Sequence, residues 1–214
     1  MNFQLNNSNN LSITKILISI NVIIFLVSIL NQSMQSQFWC SGLLAYDWNA
    51  KGVVPVYNIF TSTEYYRFIT ANFLHDGPTH LIMNMLGLYI LGEPTESMIG
   101  KKKFIIMYFL CALGTTLIAA AIDIGMHRVQ PMVGASGAVL GIGGCLAGIV
   151  LYRKVNKIYY IFEIDYKPLL IMLGLNVAIG FIPGISLVGH IAGIVVGVIV
   201  GFVYGLLIEK KRFK

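Results

Sequence analysis

The sequence predicts an all-α, polytopic membrane protein whose six spans pack as one bundle. Three observations lead there. The 214 residues are 57% hydrophobic and only 11% charged, with a mean hydropathy of +0.77; a soluble domain of this size cannot hide so much apolar surface. The apolar residues fall into runs of the length that hydrocarbon demands, about 20 residues per helix. The basic residues stand at the ends of those runs, where loop anchors sit, and not in a stripe suited to nucleic acid.

Residues 1–12 are rich in Asn, Ser and Gln and read as a flexible tail. The run 13–30, ITKILISINVIIFLVSIL, is the first span. A signal peptide would carry basic residues ahead of it and a small-residue cleavage site behind it. Only Lys15 and no A-x-A pattern are present, so the segment is read as retained. Segment 31–78 is moderately polar, with QFWCSGLLAYDWN and VVPVYNIF; Trp39, Trp48 and several tyrosines suit a membrane interface. Further spans are expected at 79–92, 104–122, 135–152, 168–182 and 188–208, two of them short enough to suit helices enclosed by others. The domain therefore runs over 13–208, followed by a basic tail at 209–214.

Charge orients the bundle. With the N-terminus cytoplasmic, only Lys51, Arg67 and Arg128 of the 15 Lys and Arg residues fall outside. Lys101 to Lys103, Arg153, Lys154, Lys157, Lys167 and the C-terminal cluster all fall inside. This is a positive-inside pattern, and it predicts that both termini are cytoplasmic.

Two spans carry glycine codes. The last reads GHIAGIVVGVIVGFVYG, with glycines at 189, 193, 197, 201 and 205. The fourth has Gly134, Gly137, Gly141, Gly144 and Gly148. Each set lies along one helical face. Small residues let backbones approach closely in lipid, where packing drives association. Spans four and six are therefore expected to pack on each other.

Polar groups at membrane depth are expensive and point to function. Ser136 begins span four, in VGASGAVLG, and His190 begins span six. His80 and Asn84, four apart in HLIMN, share a face of span two. Spans two, four and six run in the same direction, so these residues reach one depth near the outer surface. A serine nucleophile needs a base within hydrogen-bond reach, and acyl transfer needs donors where an oxyanion develops. Hydroxyl, two imidazoles and a carboxamide fill those roles. The histidines at 75, 80 and 190 have no Cys or carboxylate at ligand spacing, and Cys40, Cys111 and Cys145 form no CxxC, so no metal or other cofactor is expected.

These motifs resemble those of the rhomboid intramembrane serine proteases. GASGAVLG at 134–141 resembles the family's GxSG motif, HLIMN its HxxxN motif, and GHIAG at 189–193 its sixth-helix histidine with a close-packing glycine. EYYRFITANFLHDGPTH at 64–80 resembles the segment leading from the first loop into helix two. The likeness covers about residues 13–208 and implies a six-transmembrane-helix rhomboid-like bundle.

The resemblance further implies a Ser–His dyad. Ser136 is the expected nucleophile and His190 the general base. His80, Asn84 and the backbone N–H of Ser136, with that of Ala135, would form the oxyanion hole. Gly134, Gly137, Gly189, Gly193 and Arg67 would be structural near the site, and Glu96 structural at the inner end of helix two. Two residues depart from the family pattern. Tyr66 replaces the usual tryptophan before the loop arginine, and Leu140 replaces an aromatic that often packs on the base. The expected activity is a serine endopeptidase acting on transmembrane protein substrates, in a lipid bilayer and most simply a bacterial cell membrane. A non-catalytic rhomboid-like protein that escorts membrane clients is the rival reading; such relatives lose the serine or the histidine, and both are present here. A small transporter would show internal repeats, which the sequence lacks.

Overall fold

The computed structural model describes residues 11–31, 33–41, 43–45, 56–127, 129–158 and 166–209. Expectations for residues 1–10 and for the basic tail beyond Glu209 lie outside them. Six long helices build the bundle: α1 (Ile13–Leu30), α4 (Pro78–Ile99), α5 (Lys101–Gly125), α6 (Ser136–Val155), α7 (Tyr166–Ile179) and α8 (Leu187–Tyr204). Between α1 and α4 lie the short helices α2 (Ser33–Phe38) and α3 (Arg67–Thr70) and a small antiparallel pair, β1 (Leu43–Ala45) with β2 (Val56–Asn58). The sequence reading had no strand in this loop. Helices 13–30, 101–125, 136–155 and 187–207 are each long and apolar enough to cross a membrane, and the chain is an integral membrane protein.

Local chemistry sets the helix ends. The Ser12 hydroxyl caps α1 by accepting from the Lys15 N–H at 3.2 Å, so the last part of the expected tail belongs to the fold. The Glu96 carboxylate reinforces the cap. It accepts from the N–H groups of Ile13 and Thr14, both at 2.8 Å, and from the Thr14 hydroxyl at 2.9 Å. These are orphan donors of a helix start, and a carboxylate also suits the positive end of the dipole. The structural role expected of Glu96 thus takes the form of a cap on another helix.

Helix α4 is longer than the apolar run suggests. It continues through Pro94 to Ile99 and covers 22 residues. Hydropathy predicts a span of 79–92, because the apolar run breaks at Glu93, Pro94 and Glu96. Tertiary contacts override that signal: Glu96 is buried against α1, and Gly92 crosses it so closely that a Cβ there would stand 2.9 Å from Thr14 Oγ1. Gly100, at φ +86°, then lets α5 begin at once.

Helix α6 is the centre, with 67% of its span buried against 28% for α1. Its glycines do not all face α8, as one stripe would require. A Cβ on Gly137 would meet Thr115 Cγ2 at 2.6 Å, and one on Gly141 would clash with Cys111 Cβ, both on α5. Gly144 and Gly148 face the α8 backbone, where added Cβ atoms would clash with the carbonyls of Ile194 and Val198. From the other side, Gly193, Gly197 and Gly201 lie on the carbonyls of Gly137, Gly141 and Cys145. Gly189 stands apart from this seam; its nearest neighbour is its own cap, Ser186. The predicted pairing of spans four and six is present, and α5 takes part of the stripe because α6 has neighbours on two sides.

Candidate active site

The starts of α4, α6 and α8 and the end of α7 meet at one end of the bundle. They surround a cavity of about 1240 Å³ lined by Ser136, His190, His80, Asn84, Gly134 and Asn176, among others. The volume exceeds what a buried water needs by two orders of magnitude and suits a chain segment. Ser136, His190, His80, Asn84 and Arg67 line this cavity together with Gly134, Gly137 and Gly189, whereas Ala135 and Gly193 lie outside its lining.

Ser136 is the first residue of α6, after Ala135 at the N-cap. The turn before it is fixed from both sides. Gly134 has φ +114°, a conformation that disfavours side chains, and donates its N–H to the Ala71 carbonyl at 2.9 Å. A Cβ on Gly134 would stand 2.7 Å from His80 Nε2, so glycine is required for space as well as for φ. The first N–H groups of a helix have no partner within it, and no side chain caps this end. Ala135 is an exception: its N–H points at His75 Nε2 at 3.5 Å.

His190 and Ser136 reach the same depth because of the seam. Gly137 follows Ser136, and Gly193 lies three residues, nearly one turn, beyond His190. A Cβ on Gly193 would stand only 2.5 Å from the Gly137 carbonyl oxygen. His190 is buried, and its Nδ1 lies 2.8 Å from the Asn176 carbonyl of α7. A carbonyl can only accept, so Nδ1 carries the proton in this bond and Nε2 of the neutral ring keeps its lone pair.

His80 has the opposite arrangement. Its Nδ1 accepts from the Asp76 N–H at 3.3 Å, so its proton sits on Nε2, beside Gly134. Asn84, one turn further along α4, is buried, and among the described residues its Nδ2 has no hydrogen-bond partner. An unpaired buried amide costs about 1–3 kcal/mol. His75 stacks edge-on against His80 with ring centroids 5.1 Å apart. Burial first, and the neighbouring His80 ring second, push His75 down to about 4.

The loop that borders the cavity is pinned by Arg67. Its guanidinium donates to both Glu64 carboxylate oxygens, at 3.1 and 3.3 Å, and to the Trp39 carbonyl at 3.0 Å. It also stacks on Trp39 and on Tyr66, with ring centroids 5.7 and 5.5 Å away. Tyr66 therefore supplies one of the two aromatic faces that hold the guanidinium. Leu140 is buried and lines the cavity. Cys40 pairs with Met132 main chain to main chain, and the Ser41 hydroxyl donates to Asp123 at 3.3 Å. Sequence reasoning missed the Asn176 carbonyl, the Asp76 N–H and the Ala71 carbonyl. All are main-chain groups, and residue type carries no signal for them.

Fold and cavity define a polytopic helical membrane protein with a largely apolar cleft into which a few polar side chains converge. A family model of the rhomboid domain matches residues 62–206. The putative rhomboid protease YdcA of Bacillus subtilis (strain 168) is 31% identical over 150 residues, which is 67% of this chain and 70% of the relative. RHOMBOID-like protein 4 of Arabidopsis thaliana is 32% identical over 145 residues, which is 66% of this chain but 34% of the relative. The rhomboid protease AarA of Providencia stuartii is 25% identical over 174 residues, 73% of this chain and 62% of the relative. The chain belongs to the rhomboid family, and it spans only about a third to two thirds of the length of several of the relatives it matches.

Proposed function

We propose that this chain is a serine endopeptidase that cleaves transmembrane protein substrates through a Ser136–His190 dyad. The observation that carries the reading is the opposite tautomer of the two cavity histidines. His190 offers a free lone pair at Nε2, as a base must; His80 offers an N–H at Nε2, as an oxyanion donor must. Asn84 Nδ2, buried and unpartnered, is a second donor held ready for a charge that forms only during reaction.

The mechanism follows from these groups. His190 Nε2 takes the Ser136 proton as Oγ attacks the scissile carbonyl. The oxyanion receives the Ser136 N–H, His80 Nε2–H and Asn84 Nδ2–H. The Ala135 N–H, engaged by His75, contributes only after breaking that contact. His190 then returns the proton to the leaving amine, and water releases the acyl group by the reverse roles. The cavity lies at the end of the bundle opposite the lysines that begin α5, and the positive-inside pattern makes that end the outer one. Cleavage therefore falls near the outer membrane end of a substrate, with both termini of the enzyme cytoplasmic, in a bacterial cell membrane.

The test is labelling by a fluorophosphonate probe in detergent, with cleavage of a generic transmembrane substrate alongside. Wild type should label and cleave, and Ser136→Ala should do neither. A wild-type protein that binds such substrates without cleaving them would make this chain a non-catalytic escort.

A further inference from the structure

A serine–histidine pair works only if the imidazole is held in one tautomer and if the imidazolium that forms is stabilised. In a triad a carboxylate does both. In this bundle the atom at His190 Nδ1 is a main-chain oxygen, that of Asn176, at 2.8 Å. It belongs to the last turn of α7, at the negative end of the helix dipole. The Gly180 N–H also approaches this oxygen, but at 3.3 Å, and it lies closer to the Val177 carbonyl at 3.0 Å. The imidazole N–H is thus the shortest bond that the Asn176 carbonyl makes.

We propose that the C-terminal turn of α7, through the Asn176 main-chain carbonyl, is the positioning group of His190. It stands where a triad has its carboxylate: it selects the tautomer and stabilises the imidazolium with a helix dipole instead of a full charge. The proposal rests on the assignment of Ser136 and His190 given above. It explains how a buried imidazole works as a base without a buried anion beside it, which would be costly at membrane depth. It also makes α7 part of the catalytic geometry, although α7 buries only Leu169 and Leu173.

Two measurements test it. Histidine ring 15N resonances of the detergent-solubilised protein report each tautomer directly, and His190→Gln assigns the signal among the four histidines. Neutral His190 should carry its proton on Nδ1. A proton on Nε2, or a signal averaged over both forms, overturns the proposal whether or not the protein is active. For the second, valine 177 is replaced by its α-hydroxy acid, so that the 176–177 peptide bond becomes an ester and the Asn176 carbonyl a poorer acceptor. The same change at Met172 weakens the carbonyl of the exposed Ile171 and controls for the lost helical N–H. The ester at 177 should lower kcat about tenfold, the loss of one ordinary hydrogen bond. KM should be nearly unchanged and the control close to wild type. Equal kcat for the two esters overturns the proposal. A wild type with the expected tautomer but no probe labelling would instead sink the assignment of Ser136.

Discussion

Helices α8 and α7 both deliver a polar group to the cavity, and they are held in opposite ways. Helix α8 lies on α6 main chain against main chain: Gly193, Gly197 and Gly201 rest on the carbonyls of Gly137, Gly141 and Cys145, with no side chain between. Helix α7 is seated by two side chains, Leu169 and Leu173, the second lying over Gly143 of α6. The first contact has no slack, because backbone atoms cannot change rotamer. The second can adjust, because leucine can. The proposed nucleophile and base are therefore set by the rigid contact, while the carbonyl proposed to orient the base rides on the adjustable one. The proposed oxyanion donors form a third arrangement, on α4, where His80 and Asn84 touch the turn that carries Gly134.

The contrast can be broken most severely at the seam. Gly193→Val places methyls where a single Cβ already stands 2.5 Å from the Gly137 oxygen. We expect complete loss of cleavage and a destabilisation at or beyond the upper end of the ~1–3 kcal/mol typical of overpacking. Thermal denaturation in detergent and turnover on one substrate check both. Wild-type values in that variant would mean that α6 and α8 do not meet at this point.

The donor side should lose rate without losing stability. Asn84→Ala removes an amide group that is unpartnered among the described residues, so the melting temperature should hardly fall. The kcat should drop roughly 10²–10³-fold with KM almost constant, because the contact forms only in the transition state. A rise in KM with kcat preserved would make Asn84 a substrate-binding group instead.

His75 provides a pH test of the turn between the two regions. It is held near 4 in the fold against an ordinary 6.5, so the fold prefers the neutral ring. Its contribution is present in full above about pH 6.5 and is lost as pH falls toward 4, where the unfolded chain binds a proton that the folded chain refuses. The loss amounts to roughly 3 kcal/mol. Melting temperatures from pH 7 to 4 should show this decline, and His75→Gln should flatten it. An equal slope in both proteins would assign the acid sensitivity to other groups.

The smallest effect should come from the seat of α7. Leu173→Ala removes the side chain over Gly143 without touching the cavity lining. A cost of about 2 kcal/mol, the low end for such truncations, is expected because α7 is the least buried of the long helices. The informative readout is the His190 tautomer. If loosening α7 leaves it as sharply defined as in wild type, the orientation of the base does not depend on how α7 is seated.

Much of the site was legible in sequence for a local reason. Ser136, His190, His80 and Asn84 are polar groups in apolar runs of shared direction, so hydropathy and spacing were enough to bring them to one depth. The structural role of Arg67 was an expectation from the family resemblance alone, and its partners Glu64 and Trp39 were not legible at all. Gly189 belonged to the spacing pattern but not to the contact, since a four-residue repeat drifts around a helix of 3.6 residues per turn.

The amino-acid order determined the all-α membrane class, the six helices, the glycine faces of α6 and α8 and the identity of the polar residues. Each is written in periodicity and composition over a few turns of one segment. Tertiary structure decided the rest. It carried α4 through Pro94 by burying Glu96 on the start of α1. It divided the α6 glycines between α5 and α8. Above all it gave His190 and His80 opposite tautomers, through the Asn176 carbonyl and the Asp76 N–H. Every residue except proline carries the same main-chain donor and acceptor, so only the path of the chain in space determines which of them meets an imidazole.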